Sequence, residues 1–342
     1  MSKRLTRKLF LLLAPVGLLM AGCATVQTGA PQGKETVQAQ KQQTFESEDF
    51  IVAIVNAGDT PQSLAAKFLG DAEKAWMIEE YNGKSTLTPG EQVIIPKRFW
   101  NLSGVDFSGY QLVPILVYHN LGAQSKGRLV LGAKTFEEQM RYLKAQGYRV
   151  VSLKEFLEFA SLNRQLPKKS VVLSFDDGYK AFVQYAYPVL KELGFKATLF
   201  VYTDYIGAGA NALSWAELKK LSSEGFDVEA HSKTHGDMRR ATGESTNDYA
   251  RRLTTELNQP REIFQKNLGY SPQLLAYPYG RQDDVVVQQT KERGYLAGFT
   301  VRRQGNPSFV YPLRIHRSQI YSEMSLEDFI KNLNVFNAES LK

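Results

Sequence analysis

Two short stretches of this chain carry residue types at spacings that suit metal-assisted hydrolysis. Ser174-Phe175-Asp176-Asp177-Gly178 ends an apolar run, and His231-Ser232-Lys233-Thr234-His235 begins 54 residues after Asp177. The chain has four histidines, and two of them form this i, i+4 pair. Adjacent side chains at a strand end diverge, so the aspartates can take different tasks: one ligates a cation while the other acts as a base toward water. His231 and His235 reach one cation if their segment is a single helical turn or a tight loop. Two histidines, one carboxylate and an open position for water form a catalytic zinc set, and the same ligands suit cobalt or nickel. Alone, Asp-Asp-Gly is a capped turn and His-x-x-x-His a solvated helix face. Their placement at strand ends of one βα array points to a site.

That array must position them. From Leu112 onward, strand-like runs at 113–118, 149–151, 170–175, 197–201, 227–230, 274–277 and 296–299 alternate with helical patterns. The helices lie near 136–146, 153–160, 180–193, 215–223, 248–267 and 284–292, with Pro260 expected to bend the fifth. Repeated βα units favour a parallel sheet or barrel of α/β class, in which chemistry collects at the C-terminal strand ends. His119, Asp176, Asp177, His231 and Tyr277-Pro278-Tyr279-Gly280 fall at those ends.

The N-terminal third is organised differently. Lys3, Arg4, Arg7 and Lys8 precede the apolar run 9–20, which is short for a membrane span, so residues 1–22 are an export signal. Leu19-Met20-Ala21-Gly22-Cys23 resembles the lipobox of bacterial lipoproteins, which implies membrane anchoring through a lipidated Cys23. Ala24 after it resembles lipoproteins sorted to the outer membrane of two-membrane bacteria. Cys23 is the only cysteine, so the mature chain holds no internal disulfide. Residues 23–49 are Gln-rich and read as a flexible tether, with a span of roughly 25–30 Å. Residues 98–111 read as a linker. Four of the seven excess positive charges lie in the leader; subtracting them leaves +3, too little to argue for nucleic acid.

Residues 50–97 read as a strand, two helices and a strand. Gly58-Asp59-Thr60, Leu64-Ala65, Asn82, Leu87-Thr88-Pro89-Gly90 and Ile95-Pro96 resemble the LysM module. That resemblance implies binding to glycans that contain N-acetylglucosamine. Pro61 stands where the module commonly has an apolar residue.

Residues 112–342 resemble the polysaccharide deacetylase family, carbohydrate esterase family four. The motifs are Ser174-Phe175-Asp176-Asp177-Gly178, His231 to His235, and Tyr277-Pro278-Tyr279-Gly280. The resemblance implies a distorted (β/α) barrel, Asp176 as general base, and Asp177, His231 and His235 as ligands to zinc, cobalt or nickel. It further implies the Tyr279 backbone N–H as oxyanion donor. Two positions depart from the family pattern. Ala276 stands where an arginine orients the base, leaving Arg281, Arg302, Arg303 or Arg314 as substitutes. The general acid is His119 or His316, and the Tyr118-His119 opening is similar to the branch acting on β-1,6-linked poly-N-acetylglucosamine, which favours His119. The expected activity is metal-dependent removal of acetyl groups from N-acetylglucosamine units of an extracytoplasmic polysaccharide, either an exported biofilm-type polymer or peptidoglycan. The alternatives are a catalytically inactive glycan-binding lipoprotein and a structural envelope lipoprotein.

Overall fold

In the computed structural model the described residues are 44–339. The export signal, Cys23 and most of the tether lie outside them. No helix among the described residues is long and apolar enough to cross a membrane.

The N-terminal domain is a three-stranded antiparallel sheet, β1 (Thr44–Glu46), β2 (Phe50–Ile54) and β3 (Gln92–Pro96), covered by α1 (Pro61–Leu69) and α2 (Ala75–Asn82). Thr60 caps α1 in a reciprocal capping box with Ser63, and Pro61 takes the first turn, where its missing N–H costs nothing. Leu64, Ala65, Ile78, Val93 and Ile95 form the core between the layers. The sheet begins at Thr44, so the domain takes in part of the segment expected to be tether.

The expected linker also folds. β4 (Val105–Asp106) and β5 (Gly109–Gln111) form a sheet with the C-terminal strand Phe336–Ala338. The main sheet then starts with β6 (Ile115–Tyr118). A small pair, β7 (Asn120–Gly122) and β8 (Val130–Gly132), precedes α3 (Ala133–Ala145), β9 (Arg149–Val150) and α4 (Leu153–Ala160). The chain continues through β10 (Ser170–Asp177), α5 (Tyr187–Leu193), β11 (Thr198–Val201), α6 (Trp215–Ser223) and β12 (Asp227–Ala230). It ends the array with α7 (Thr246–Leu268), β13 (Leu274–Ala276), α8 (Asp284–Glu292), β14 (Ala297–Phe299) and β15 (Ser318–Gln319). α7 runs unbroken across Pro260.

All strands of this sheet are parallel, in the order β14-β13-β12-β11-β10-β6-β15, with β9 beside the start of β10. One segment closes it. Ile315 bridges Phe299 of β14, and three residues later β15 pairs with β6. The result is a distorted barrel. Ile115, Val172, Phe200, Leu274, Ala276, Phe299 and Ile315 pack together in one cluster, while Leu116, Leu173, Phe175, Leu199 and Val228 pack with the helices in another. The alternation of strand side chains fixes this division.

Candidate metal centre

Alternation along β10 puts Asp176 on the same face as Val172 and Ser174. Asp177 ends the strand in the left-handed region, at φ 77°, and Gly178 follows at φ 92°. A Cβ on Gly178 would lie 2.6 Å from Ile206 Cδ1, so the turn requires glycine. His231 follows β12 and keeps the parallel pairing through its N–H to the Val201 carbonyl, 2.9 Å. The His231–His235 segment is a tight loop, with Ser232 at φ 67° and His235 at φ 63°. Tyr279 also lies in the left-handed region, at φ 58°. Five non-glycine residues have positive φ among the described residues, and these four belong to the site. Strain of this kind persists where the surroundings over-determine it.

Asp177, His231 and His235 form the one group of acidic, His or Cys side chains placed to hold a metal ion among the described residues. His235 Nε2 lies 3.2 Å from His231 Nε2 and 3.4 Å from Asp177 Oδ1. His231 Nε2 lies 3.7 Å from the same Oδ1. Ligands of a tetrahedral zinc stand ~3.3 Å apart, so the spacing fits. The chemistry of the donors fits as well. His231 Nδ1 sits 2.7 Å from the Ala276 carbonyl, which assigns the proton to Nδ1 and leaves Nε2 bare. Burial pushes the His231 imidazole down to about 3 and lowers that of His235, so both are neutral ligands. Asp177 Oδ1 is buried without a hydrogen-bond partner. Burial and the neighbouring Asp176 raise the Asp177 carboxyl to about 7, a cost that a cation would remove.

Asp176 has the opposite setting. Arg317 Nη1 and Nη2 meet its two carboxylate oxygens at 2.7 and 2.8 Å, a bidentate pair with both side chains buried. Burial alone would raise this carboxyl, but Arg317 and His231 outweigh it and hold it at about 2. Arg317 Nε donates to the Thr300 carbonyl at 3.1 Å. Arg317 lies on the segment that closes the barrel and takes the orienting place left by Ala276. It is not among the four arginines that the sequence singles out. Arg281 pairs with Asp237, Arg303 with Asn332 and Arg314 with Asp284, and Arg302 faces His316 instead. The signal for Arg317 was its i+2 relation to buried Ile315 in an extended segment that a closed barrel still lacked.

The two candidate acids separate. His119, at the end of β6, feels the charge of Asp176; its Nδ1, like that of His316, is buried without a partner. Burial lowers its pKa and Asp176 opposes that shift. His316 has its backbone held by Asn306 and feels Arg302 rather than the site aspartates.

Glu256 of α7 is a further positioning residue. It is buried, and it accepts the N–H groups of Lys233 and Thr234 at 3.0 and 2.9 Å and the Thr234 hydroxyl at 2.6 Å. This staples the histidine loop. The Tyr279 ring packs on His235 at 4.7 Å between centroids.

Two histidines and a carboxylate within ligand distance of one another, beside an Arg-aligned carboxylate, are the residues that a hydrolytic metal centre uses. Residues 163–298 match the family model for polysaccharide deacetylase. Over that segment the chain is similar to polysaccharide deacetylases. A poly-β-1,6-N-acetyl-D-glucosamine N-deacetylase from Staphylococcus epidermidis is 28% identical over 210 residues, covering 60% of this chain and 72% of that one. A deacetylase from Streptococcus pyogenes, solved with acetate, is 28% identical with a TM-score of 0.59, covering 66% of this chain and 100% of that one. IcaB from Ammonifex degensii shares the fold at 22% identity and a TM-score of 0.58, over 66% and 98% of the two chains. His119 and Arg317 both lie outside the matched segment; the Tyr118-His119 opening marks the first, and no motif marks Arg317.

Proposed function

We propose that this chain is a metal-dependent N-deacetylase acting on N-acetylglucosamine units of an extracytoplasmic polysaccharide. The carrying observation is the union of the Asp177–His231–His235 set with an Asp176 carboxylate aligned by Arg317. A divalent metal held by those three residues, zinc first with cobalt or nickel as alternatives, would polarise an acetamide carbonyl and acidify water. Asp176, held in one orientation by the guanidinium fork, accepts the proton of the attacking water. The Tyr279 N–H hydrogen-bonds the developing oxyanion. His119 gives a proton to the departing amine, leaving acetate and glucosamine. Its proximity to Asp176 favours it over His316 in that role.

Poly-β-1,6-N-acetylglucosamine is the favoured polymer, on the similarity to the staphylococcal enzyme. The βααβ domain supports binding to N-acetylglucosamine glycans, and with it peptidoglycan as the second substrate candidate. A lipidated Cys23 would hold the protein on a membrane surface, the outer membrane in a two-membrane host. An inactive glycan-binding lipoprotein drew its support from Ala276, and Arg317 supplies the missing guanidinium.

The test is acetate release by the mature chain from β-1,6 and β-1,4 N-acetylglucosamine oligomers and from peptidoglycan fragments. Zinc, cobalt, chelator and Asp176→Asn are the arms. Chelator-sensitive release that Asp176→Asn abolishes is expected. No release from any glycan by folded, metal-loaded protein would overturn the enzyme reading.

A further inference from the structure

One flank of the centre is an aromatic wall. Tyr202 lies against His235 at 5.1 Å and stacks on Tyr205 at 5.2 Å, with 19° between the rings. Tyr205 meets Tyr179 edge-on at 5.5 Å, and Tyr179 lies close enough to Asp177 for each to shift the other's ionisation. Tyr179 and Tyr205 line a pocket of about 590 Å³ that Asn120, Gln184, Tyr185 and Asn211 complete. Asn120 directly follows His119, so the pocket begins at the rim of the catalytic mouth. That volume is ample for a saccharide unit.

The wall is built from three tied segments. Lys180 N–H donates to the Asn211 carbonyl at 2.8 Å, the Tyr205 hydroxyl reaches the same carbonyl at 3.2 Å, and Leu213 N–H donates to Gly178 O at 2.9 Å. Gln184 and Tyr185 sit on a π-helical turn, Phe182–Ala186, a feature that recurs at functional sites.

We infer that this pocket is the subsite for the sugar neighbouring the one that loses its acetyl group, and that it takes that neighbour in its uncharged, N-acetylated form. The inference rests on the deacetylase reading above. Phenol rings offer apolar faces to a pyranose, and the amides of Asn120, Gln184 and Asn211 offer both donors and acceptors to its hydroxyl and acetamido groups. No carboxylate lines the pocket, and its one ionic side chain, Lys180, is positive and paired with Glu217 at 3.2 Å. A glucosammonium neighbour would find no carboxylate in the lining to pair with, and the lysine there already holds the nearby Glu217. The product is then a polymer with spaced free amines rather than contiguous blocks.

The test uses the zinc-loaded mature chain and three substrates. These are a fully acetylated N-acetylglucosamine pentamer, the same pentamer with one defined free amine, and 4-nitrophenyl acetate as a probe too small to reach the pocket. Tyr205→Ala and Tyr185→Ala are expected to raise KM for the acetylated pentamer about tenfold, the scale of one aromatic contact, with kcat within about twofold and ester hydrolysis unchanged. Wild type is expected to leave units beside the free amine several-fold less deacetylated, and Lys180→Gln to narrow that gap. Ester and pentamer activities falling together in both tyrosine variants would show that the wall only supports the centre, and would overturn the subsite. Equal deacetylation beside the free amine would overturn the charge preference. Ester turnover without acetate release from either pentamer by wild type would mark failure of the deacetylase reading itself, and the subsite would fall with it.

Discussion

The barrel mouth and the βααβ domain hold their polar groups on different terms. At the mouth, four non-glycine residues take left-handed backbone, a guanidinium and a carboxylate are buried as a pair, and Asp177 Oδ1 is buried with no partner. In the N-terminal domain the positive φ angles fall on Gly58, Gly70, Gly83 and Gly90, where they cost little. Its Asn82 amide is satisfied on both sides: Nδ2 donates to the Ile78 and Ile94 carbonyls and Oδ1 accepts Ile94 N–H. Left-handed backbone on non-glycine residues is concentrated where chemistry is proposed, and the small domain gives such turns to glycine. The two also sit at opposite ends. The domain meets the barrel at the N-terminal strand ends, through Glu79–Arg149 and the Lys168 N–H to Glu80. If the proposed glycan binding holds, a chain seated on that domain would have to be long to reach the mouth.

The comparison breaks most severely at Arg317. Arg317→Met leaves the Asp176 carboxylate buried without its partner, which costs about 3–5 kcal/mol. Urea unfolding should show that loss, and acetate release should fall roughly 10²-fold or more as the base loses its orientation. Arg317→Lys keeps the charge but not the fork, so stability should recover further than activity. A methionine variant as active as wild type would remove Arg317 from the site.

Glu256 tests whether the histidine loop is held from outside the site. Glu256→Gln keeps the shape but weakens the acceptance of two N–H groups and a hydroxyl. Zinc affinity, measured by chelator competition, should drop about 10- to 100-fold. Unchanged affinity would mean that the left-handed turns alone set His235.

The sheet was legible because buried parallel strands read as apolar runs, and the helices because their apolar period is clear. The ligand set was legible because its residues lie on two compact motifs. Arg317 was not, since barrel closure brings it to Asp176 across 141 residues of sequence. Glu256 was hidden for a like reason: on a long polar helix nothing marks one glutamate as inward-facing. The strands at Thr44–Glu46 and Val105–Asp106 escaped because they are short and exposed, and only their pairing defines them.

The two site aspartates should give the metal-free protein opposed pH slopes. The folded pKa of Asp176 is depressed, so its stabilisation is present above the unfolded value near 4 and is lost as pH falls through about 2. Asp177 is raised, so its contribution is full below its unfolded value and is lost as pH rises through about 7. The lowered His231, His235 and His119 add stability as pH rises through their unfolded value near 6.5. The Asp177 loss is therefore read against an Asp177→Asn control that keeps those histidines. Relative to it, urea midpoints of chelator-treated wild type should decline from pH 5 to pH 8, and zinc should flatten that relative decline. A decline that persists with zinc bound would place the cation away from Asp177.

The smallest effect on chemistry is expected from Asn82→Ala. The substitution leaves the backbone groups of Ile94 without their side-chain partner inside the domain, a cost of about 1–3 kcal/mol. The small apolar core of Leu64, Ile78 and Ile95 has little reserve against that loss. The domain should loosen, seen as an early phase in thermal unfolding and as weaker retention on insoluble N-acetylglucosamine polymer. Turnover of short soluble oligomers should stay within about twofold of wild type, because they need only the mouth at the other end of the barrel. Equal losses on soluble and insoluble substrates would mean that the docking through Glu79 and Glu80 transmits to the metal centre, and that the two ends act as one unit.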